Sequence, residues 1–233
     1  MKIYRWAIWG VAICLAVTVA GITKSNLIDE TKVVKKVPTT HKVVALTFDD
    51  GPHYKTTPQL LAILKEKQVK ATLFILGENA AQHPEILAQA VADGHEIGTH
   101  AYSHRALNKL PRDQVAEELD KAEKVIAVVA PRPILFRPPG GAVNDNVLAV
   151  ALNKGYTTVL WSVDPRDWSR PSVAQVVNTV MHDVKPGSIV LLHDGQYPLP
   201  TPEAIVSIID QLRAEGYTIV TVGELLQYYE ERK

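Results

Sequence analysis

A parallel α/β fold is what this 233-residue sequence predicts, on three observations. From Lys42 onward, short apolar runs rich in β-branched residues alternate with longer segments of helical period. No hairpin turn signal joins one apolar run to the next, so each strand needs a crossover helix, the βα repeat of a parallel sheet. Reactive side chains gather just past the carboxyl ends of the apolar runs, the face on which parallel α/β folds build their sites. Seven units in about 190 residues fit a small, irregular (β/α)7 barrel, with an open, doubly wound sheet as the alternative.

The chain opens with an apolar helix that stands apart from these units. Lys2 and Arg5 precede an uncharged run, Trp6 to Ile22, whose 17 residues span roughly 25 Å as a helix. That pattern is an export signal. Thr18-Val19-Ala20 supplies a small-x-small cleavage site, but Trp6 and Trp9 near the cytoplasmic end suit an interfacial anchor, so residues 1–24 are expected to stay as a signal-anchor. Their removal takes away three positive charges and no negative ones, leaving a mildly acidic exported part. Residues 25–40, polar and lysine-bearing with no apolar period, read as a linker to a domain over 41–233.

Within that domain strands are expected near Val43–Phe48, Ala71–Leu76, Glu96–Gly98, Ile134–Phe136, Thr157–Trp161, Ser188–Leu192 and Thr218–Thr221. Helices fit between them at Pro58–Lys67, Glu85–Ala92, Arg112–Ala130, Val173–His182 and Pro202–Glu215, the last stopped by Gly216.

Composition narrows the chemistry. Lys+Arg and Asp+Glu are 25 each, so no basic excess exists to neutralise a phosphate backbone, and no nucleic-acid partner is expected. Cys14 is the sole cysteine, which leaves His, Asp and Glu to hold any metal.

The strand ends supply such residues. The first ends in Asp49-Asp50-Gly51-Pro52; a turn wants one aspartate, but two adjacent carboxylates beside apolar Leu46 and Phe48 repel unless a cation or an arginine lies between them. The third leads to His100 and His104, whose four-residue spacing on a helical turn puts both imidazoles on one face, within reach of one metal ion. The fourth ends in Arg137-Pro138-Pro139-Gly140-Gly141, an arginine fixed between a strand and two prolines. The fifth leads to Asp164 and Asp167-Trp168. The sixth ends in His193, placed at a pocket mouth where its pKa can be tuned. His41, His53, His83, His95 and His182 read as structural or surface residues.

The ordered set Thr47-Phe48-Asp49-Asp50-Gly51-Pro52, His100-x-x-x-His104, Arg137-x-Pro139-x-Gly141, Asp164-x-x-Asp167-Trp168 and Leu191-x-His193 resembles the five motifs of the NodB-like polysaccharide deacetylases, carbohydrate esterase family 4. The resemblance covers about residues 41 to 223. It implies a distorted barrel and metal-dependent hydrolysis of an acetamide on an N-acetylated sugar polymer. Asp50, His100 and His104 are then the ligands of a divalent ion, zinc or a substitute such as cobalt. Asp49 is the base toward the attacking water, kept anionic by Arg137, and His193 is the acid toward the leaving amine, oriented by Asp167. The Gly140 N–H helps to hold the oxyanion, and Trp168 and Leu191 wall a methyl-sized pocket.

Two departures from the resemblance bear on this site. Ala101 stands where relatives carry a Ser or Thr that braces the ligand loop, and Gly140 where they carry a larger side chain. The function expected is an exported, membrane-anchored, monomeric N-deacetylase facing the cell wall, with peptidoglycan as substrate and chitin-like oligosaccharide second. The alternatives are a catalytically silent glycan-binding protein and an O-acetyl esterase on the same site.

Overall fold

In the computed structural model the described residues are 33–230. They form β1 (Val43–Asp49), α1 (Thr56–Glu66), β2 (Thr72–Ile75), α2 (Gly77–Gln82), α3 (Pro84–Ala92), β3 (Glu96–Thr99), α4 (Arg112–Ile126), β4 (Leu135–Phe136), α5 (Asp145–Asn153), β5 (Thr157–Thr158), α6 (Val173–Asp183), β6 (Ser188–His193), α7 (Thr201–Ala214), β7 (Thr218–Val220) and α8 (Val222–Leu225). Every pairing between these strands is parallel, in the order β5-β4-β3-β2-β1-β6. The sheet curves into a half-barrel with helices on its outer face, the α/β class that the βα repeat predicts.

The central strand shows how the period of two builds both core and site. Val44, Leu46 and Phe48 point outward into the cluster formed with Leu60, Leu64, Ile205 and Leu212 of α1 and α7. Val43 and Ala45 point inward, onto Phe74, Leu135 and Ile189. Continuing on that inner face, Thr47 and then Asp49 arrive at its upper end. β6 repeats the pattern, with Val190 and Leu192 outward and Ile189 inward, so that Leu191 and His193 follow Ile189 on the inner face. Asp49 and His193 are direct register partners.

Several expectations are corrected. The seventh strand is not a seventh stave. β6 pairs β1 from Val44 to Asp49, while β2 pairs Thr47 to Asp49 and β7 pairs Val43 to Ala45. An edge bonds only once, so β2 and β7 share the other edge of β1 end to end, joined where the Val222 N–H donates to Thr72 Oγ1 at 2.9 Å. The gap between β5 and β6 is spanned instead by isolated bridges, Val163 to Val190 directly, and Val34 to Val159 and Lys36 to Ser188 through the segment that precedes β1.

The strand expected over Thr157–Trp161 shortens to two residues: the Val159 N–H still donates to Phe136 O, but the Leu160 N–H turns to Val34 O, both at 2.8 Å. The same contact corrects the end of the 25–40 linker. Val34 bridges Val159, and Val37 is buried with its N–H on Gly187 O at 2.9 Å, so the folded unit begins before Lys42. The crossover that the βα repeat requires between β4 and β5 is α5, and the short helices α2 and α8 are additional to the repeat. The signal-anchor of residues 1–24 lies outside the described residues, among which no helix is long and apolar enough to cross a membrane.

Candidate active site

Arg137 leaves β4 with its N–H on Thr99 O at 3.0 Å and turns its guanidinium into the barrel, where it is 0% exposed. Nη1 donates to Asp49 Oδ1 at 2.7 Å and to Thr47 Oγ1 at 2.8 Å; Nη2 and Nε donate to the carbonyls of Leu160 and Val159 at 3.0 and 3.3 Å. The guanidinium carbon lies 4.0 Å from the centroid of the Phe74 ring. A desolvated cation is tolerated only when so fully bonded. Burial pushes Asp49 above the usual carboxylate range, and the Arg137 charge pulls back against it. Asp49 therefore has one oxygen clamped and the other, Oδ2, facing His100 Nε2 at 3.8 Å.

Asp50 departs from the strand in the left-handed region, φ 73°, and its carbonyl accepts from Asn79 Nδ2 at 2.7 Å. This flip separates two sequence neighbours into different roles. Asp50 Oδ1 lies 3.4 Å from His100 Nε2 and 3.6 Å from His104 Nε2. It is buried and accepts no hydrogen bond. One ligand atom from each of these three residues falls within 4.8 Å of the others. His100 Nδ1 lies 2.7 Å from Arg137 O, and since a carbonyl only accepts, Nδ1 carries the proton and Nε2 presents its lone pair. Burial keeps that ring neutral, its pKa lowered to about 3. An unsatisfied buried carboxylate oxygen facing imidazole nitrogens is a donor set that fits a divalent cation.

The histidine loop is braced without the hydroxyl absent at Ala101. Ala101 is buried at φ 67°, with its N–H on Thr99 Oγ1 at 3.3 Å. Ser103 places both its N–H and its hydroxyl on Glu118 Oε2, each at 2.9 Å. Glu118 is 7% exposed, on the buried face of α4 with Val115, Leu119 and Ala122. Sequence reasoning missed it, although a carboxylate inside an apolar helical stripe is a readable signal.

On the opposite side Asp167 is closed on every side. Oδ1 lies 2.8 Å from His193 Nδ1, and Oδ2 accepts from the His193 N–H at 2.8 Å and from the Thr201 hydroxyl at the start of α7. Arg166 and Arg170, both in the left-handed region, bracket the turn that presents Asp167 and Trp168. Burial opposes charge on His193, but the Asp167 hydrogen bond and the neighbouring carboxylates outweigh it and push its pKa up to about 9.

Of the remaining expected residues, Trp168 is exposed on the rim and Leu191 is buried. Gly140 has φ 62° and open space where a side chain would begin, so a larger residue there meets no neighbour but carries the strain of the left-handed backbone. Gly141 is different, because a Cβ would come within 2.6 Å of the Trp161 ring. Asp194, not expected, is fully buried. It accepts from Thr57 Oγ1 at 2.6 Å and fills the place a Gly51 Cβ would need. Burial pushes its pKa up to about 7.

Fold and site together define a hydrolase of the two-histidine, one-carboxylate type on a parallel half-barrel. The chain belongs to the polysaccharide deacetylase family, whose sequence profile matches residues 36–159, and its function is polysaccharide deacetylation. It is 41% identical over 196 residues to a peptidoglycan-N-acetylglucosamine deacetylase of Bacillus cereus, covering 83% of this chain and 92% of that one. It is 36% identical over 207 residues to a chitooligosaccharide deacetylase of Sinorhizobium fredii, covering 88% and 94%. The crystal structure of the Bc1960 peptidoglycan N-acetylglucosamine deacetylase superposes with a TM-score of 0.83 at 36% identity, covering 89% of this chain and 98% of that one.

Proposed function

We propose that this chain removes N-acetyl groups from peptidoglycan, outside the cytoplasm, as a monomer tethered to the membrane by residues 1–24. The observation that carries the reading is Asp50 Oδ1 facing two imidazole nitrogens, between a base clamped by Arg137 and an acid clamped by Asp167. Peptidoglycan is favoured over chitin-like glycan because an exported, anchored enzyme meets the wall first, and because two relatives from Bacillus cereus carry that activity in their names.

Asp50, His100 and His104 hold the ion, zinc by the chemistry of their donors, with cobalt able to substitute. When bound, it supplies Lewis acidity toward the attacking water and the acetamide carbonyl. Asp49 Oδ2 takes a proton from the water, its partner oxygen being occupied by Arg137. The Gly140 N–H bonds to the oxyanion as the carbonyl becomes tetrahedral. His193, already an imidazolium at neutral pH, gives its Nε2 proton to the leaving amine, so the C–N bond breaks to acetate and a free amino sugar. Trp168 and Leu191 enclose the methyl group.

Acetate release from defined N-acetylated glycans, with and without a chelator, tests this. Release is expected to fall at least about a hundredfold on chelation and return with zinc or cobalt. Chelator-insensitive release rejects the metal role; glycan binding with no acetate release favours the silent binding protein. Fractionation of expressing cells tests the anchor, with recovery in the membrane fraction expected and recovery in the medium pointing to cleavage.

A further inference from the structure

Arg137 donates to two backbone carbonyls, and both are acceptors that the sheet leaves over. In the parallel ladder between β4 and β5 the Thr157 N–H donates to Ile134 O and the Val159 N–H to Phe136 O. The next rung would place the N–H of residue 138 on Val159 O, but residue 138 is a proline and has no donor. That carbonyl accepts from Arg137 Nε instead, at 3.3 Å. On the other edge of β5 the Val34 N–H donates to Thr158 O at 2.9 Å and the Leu160 N–H to Val34 O at 2.8 Å. The next rung there would place the Lys36 N–H on Leu160 O, but Lys36 pairs with Ser188 at the start of β6. Leu160 O is therefore open to Arg137 Nη2, at 3.0 Å.

The segment that crosses from β5 to β6 is firmly seated. The Val37 N–H donates to Gly187 O at 2.9 Å. Gly187 has φ 81°, and a Cβ there would come within 1.8 Å of Val37 O, so the two backbones touch and only glycine fits. Beyond it Pro38 O accepts from the Glu230 N–H at 2.9 Å, and Glu230 Oε2 accepts from the Thr40 N–H at 2.7 Å. Val37 is buried in the inner cluster that contains Phe74, and Val34 and Trp161 pack against it. Phe74 and Trp161 are the two rings that flank Arg137, their centroids 4.0 and 5.7 Å from the guanidinium carbon. A stretch that composition marks as a linker thus supports the Leu160 carbonyl and both rings.

We infer that residues 34–37 are a positioning segment of the active site. By pairing with β5 for a single rung and then crossing to β6, they free and aim the Leu160 carbonyl that fixes Arg137, and through Arg137 they fix the base Asp49. None of them touches a reacting atom. A buried guanidinium that loses an acceptor shifts toward its remaining partners, because a dry site offers no water to replace it. Nη1 then carries Asp49 Oδ1 with it, and the open Oδ2 leaves its line to the attacking water. The metal-binding half is spared, since the Arg137 N–H stays on Thr99 O of β3 and the Asp50 carbonyl stays on Asn79. The kinetic consequence rests on the deacetylase reading above; the support of Arg137 does not.

Two variants of the full-length protein test this. Val37→Asp puts a charge into the buried seam and unseats the segment, whereas Val34→Pro removes only the donor to Thr158 O. Val37→Asp is expected to lower kcat for acetate release about 10–100-fold, with KM and zinc affinity within about threefold of the wild type, and Val34→Pro to lower kcat about threefold. Solvent exchange of the Arg137 Nε–H proton, assigned by NMR from its loss in Arg137→Lys, is expected to quicken about tenfold in Val37→Asp while the amides of β1 exchange as before. An unchanged kcat or an unchanged Arg137 exchange rate overturns the role. So do β1 amides that quicken in step with Arg137, which would make the segment ordinary packing. Should Val37→Asp fail to fold, Val34→Pro decides by the same readouts. If the wild type releases no acetate from any glycan, the hydrolase reading fails while the exchange rates still decide whether the segment fixes Arg137.

Discussion

The two halves of the site are built on opposite principles. On the side of β1 and the histidine loop, polar valences are left open: Asp50 Oδ1 accepts nothing, and the Nε2 atoms of His100 and His104 converge on it. On the side of β6 and α7, valences are closed: Asp167 accepts from His193 twice and from Thr201 once. Leaving a buried acceptor unpaired costs about 1–3 kcal/mol, so a cation bound by the open half would stabilise it. The closed half needs no ligand and instead holds a proton in a fixed direction. An open valence marks where a ligand enters, and a closed one marks where orientation is stored. Asp49 stands at the seam, one oxygen clamped by Arg137 and the other open.

Disturbing the seam is expected to have the largest mutational effect. Asp49→Asn keeps the shape but removes the proton acceptor, and should lower kcat by about 10²–10⁴ in acetate release. It also leaves the Arg137 charge uncompensated in a dry site, which should cost about 3–5 kcal/mol in denaturant unfolding. A normal unfolding midpoint would mean that the carbonyls of Val159 and Leu160 suffice to hold the guanidinium.

The closed half offers a smaller change with a distinctive signature. With His193 held up to about 9, its acid form persists through neutrality and activity should fall only as pH rises through about 9. Asp167→Asn removes the largest raising influence while burial still disfavours the charge, so this alkaline limb should move down toward or below the ordinary 6.5, with kcat at pH 8 lowered about a hundredfold. Stability should follow the same sign. A raised folded pKa stabilises fully below 6.5 and is lost as pH rises through about 9, so the mutant's deficit should be largest in acid and should shrink on the alkaline side. An alkaline limb that stays near 9 would assign that titration to another group.

How much of this was legible in the sequence follows from how local each determinant is. β1 and β6 were readable because apolar β-branched runs with chemistry at their ends need no tertiary knowledge. The seven ionic and polar residues from Asp49 to His193 that the motifs nominated do converge in two linked clusters. The pairing of β7 was not readable, because two strands sharing one edge of β1 is a matter of register. Thr157–Trp161 reads as a strand by composition, yet its backbone is diverted at Leu160 by Val34, more than a hundred residues earlier in the chain. α2 was hidden by Gly77, a poor helix former required there because a Cβ would meet Tyr102 and the Ala122 backbone within 3 Å. Thr201 escaped because it acts through a partner 34 residues away, whereas Glu118 left a readable sign in the apolar stripe of α4 and only its partner Ser103, 15 residues away, was hidden.

Glu118 gives the smallest and most discriminating change. It touches no ligand atom, but its carboxylate carries the N–H and hydroxyl of Ser103, the residue before His104, and Arg105 approaches its other oxygen at 3.7 Å. With alanine at 101 the loop is braced there by Thr99 Oγ1 and by the Gly77 and Glu78 N–H groups on the carbonyls of Ala101 and Tyr102, and the Glu118 contact is the one that acts next to His104. Glu118→Gln keeps an acceptor of the same length yet loses the charge, and should weaken zinc affinity about tenfold in a competitive chelator titration. At saturating zinc, kcat should recover to within about threefold, and the absorption of the cobalt-loaded protein should shift as the His104 geometry relaxes. Glu118→Asp, too short to reach both groups of Ser103, should do worse than Gln despite keeping the charge. If the two variants reverse that order, charge rather than reach is what aligns the open half.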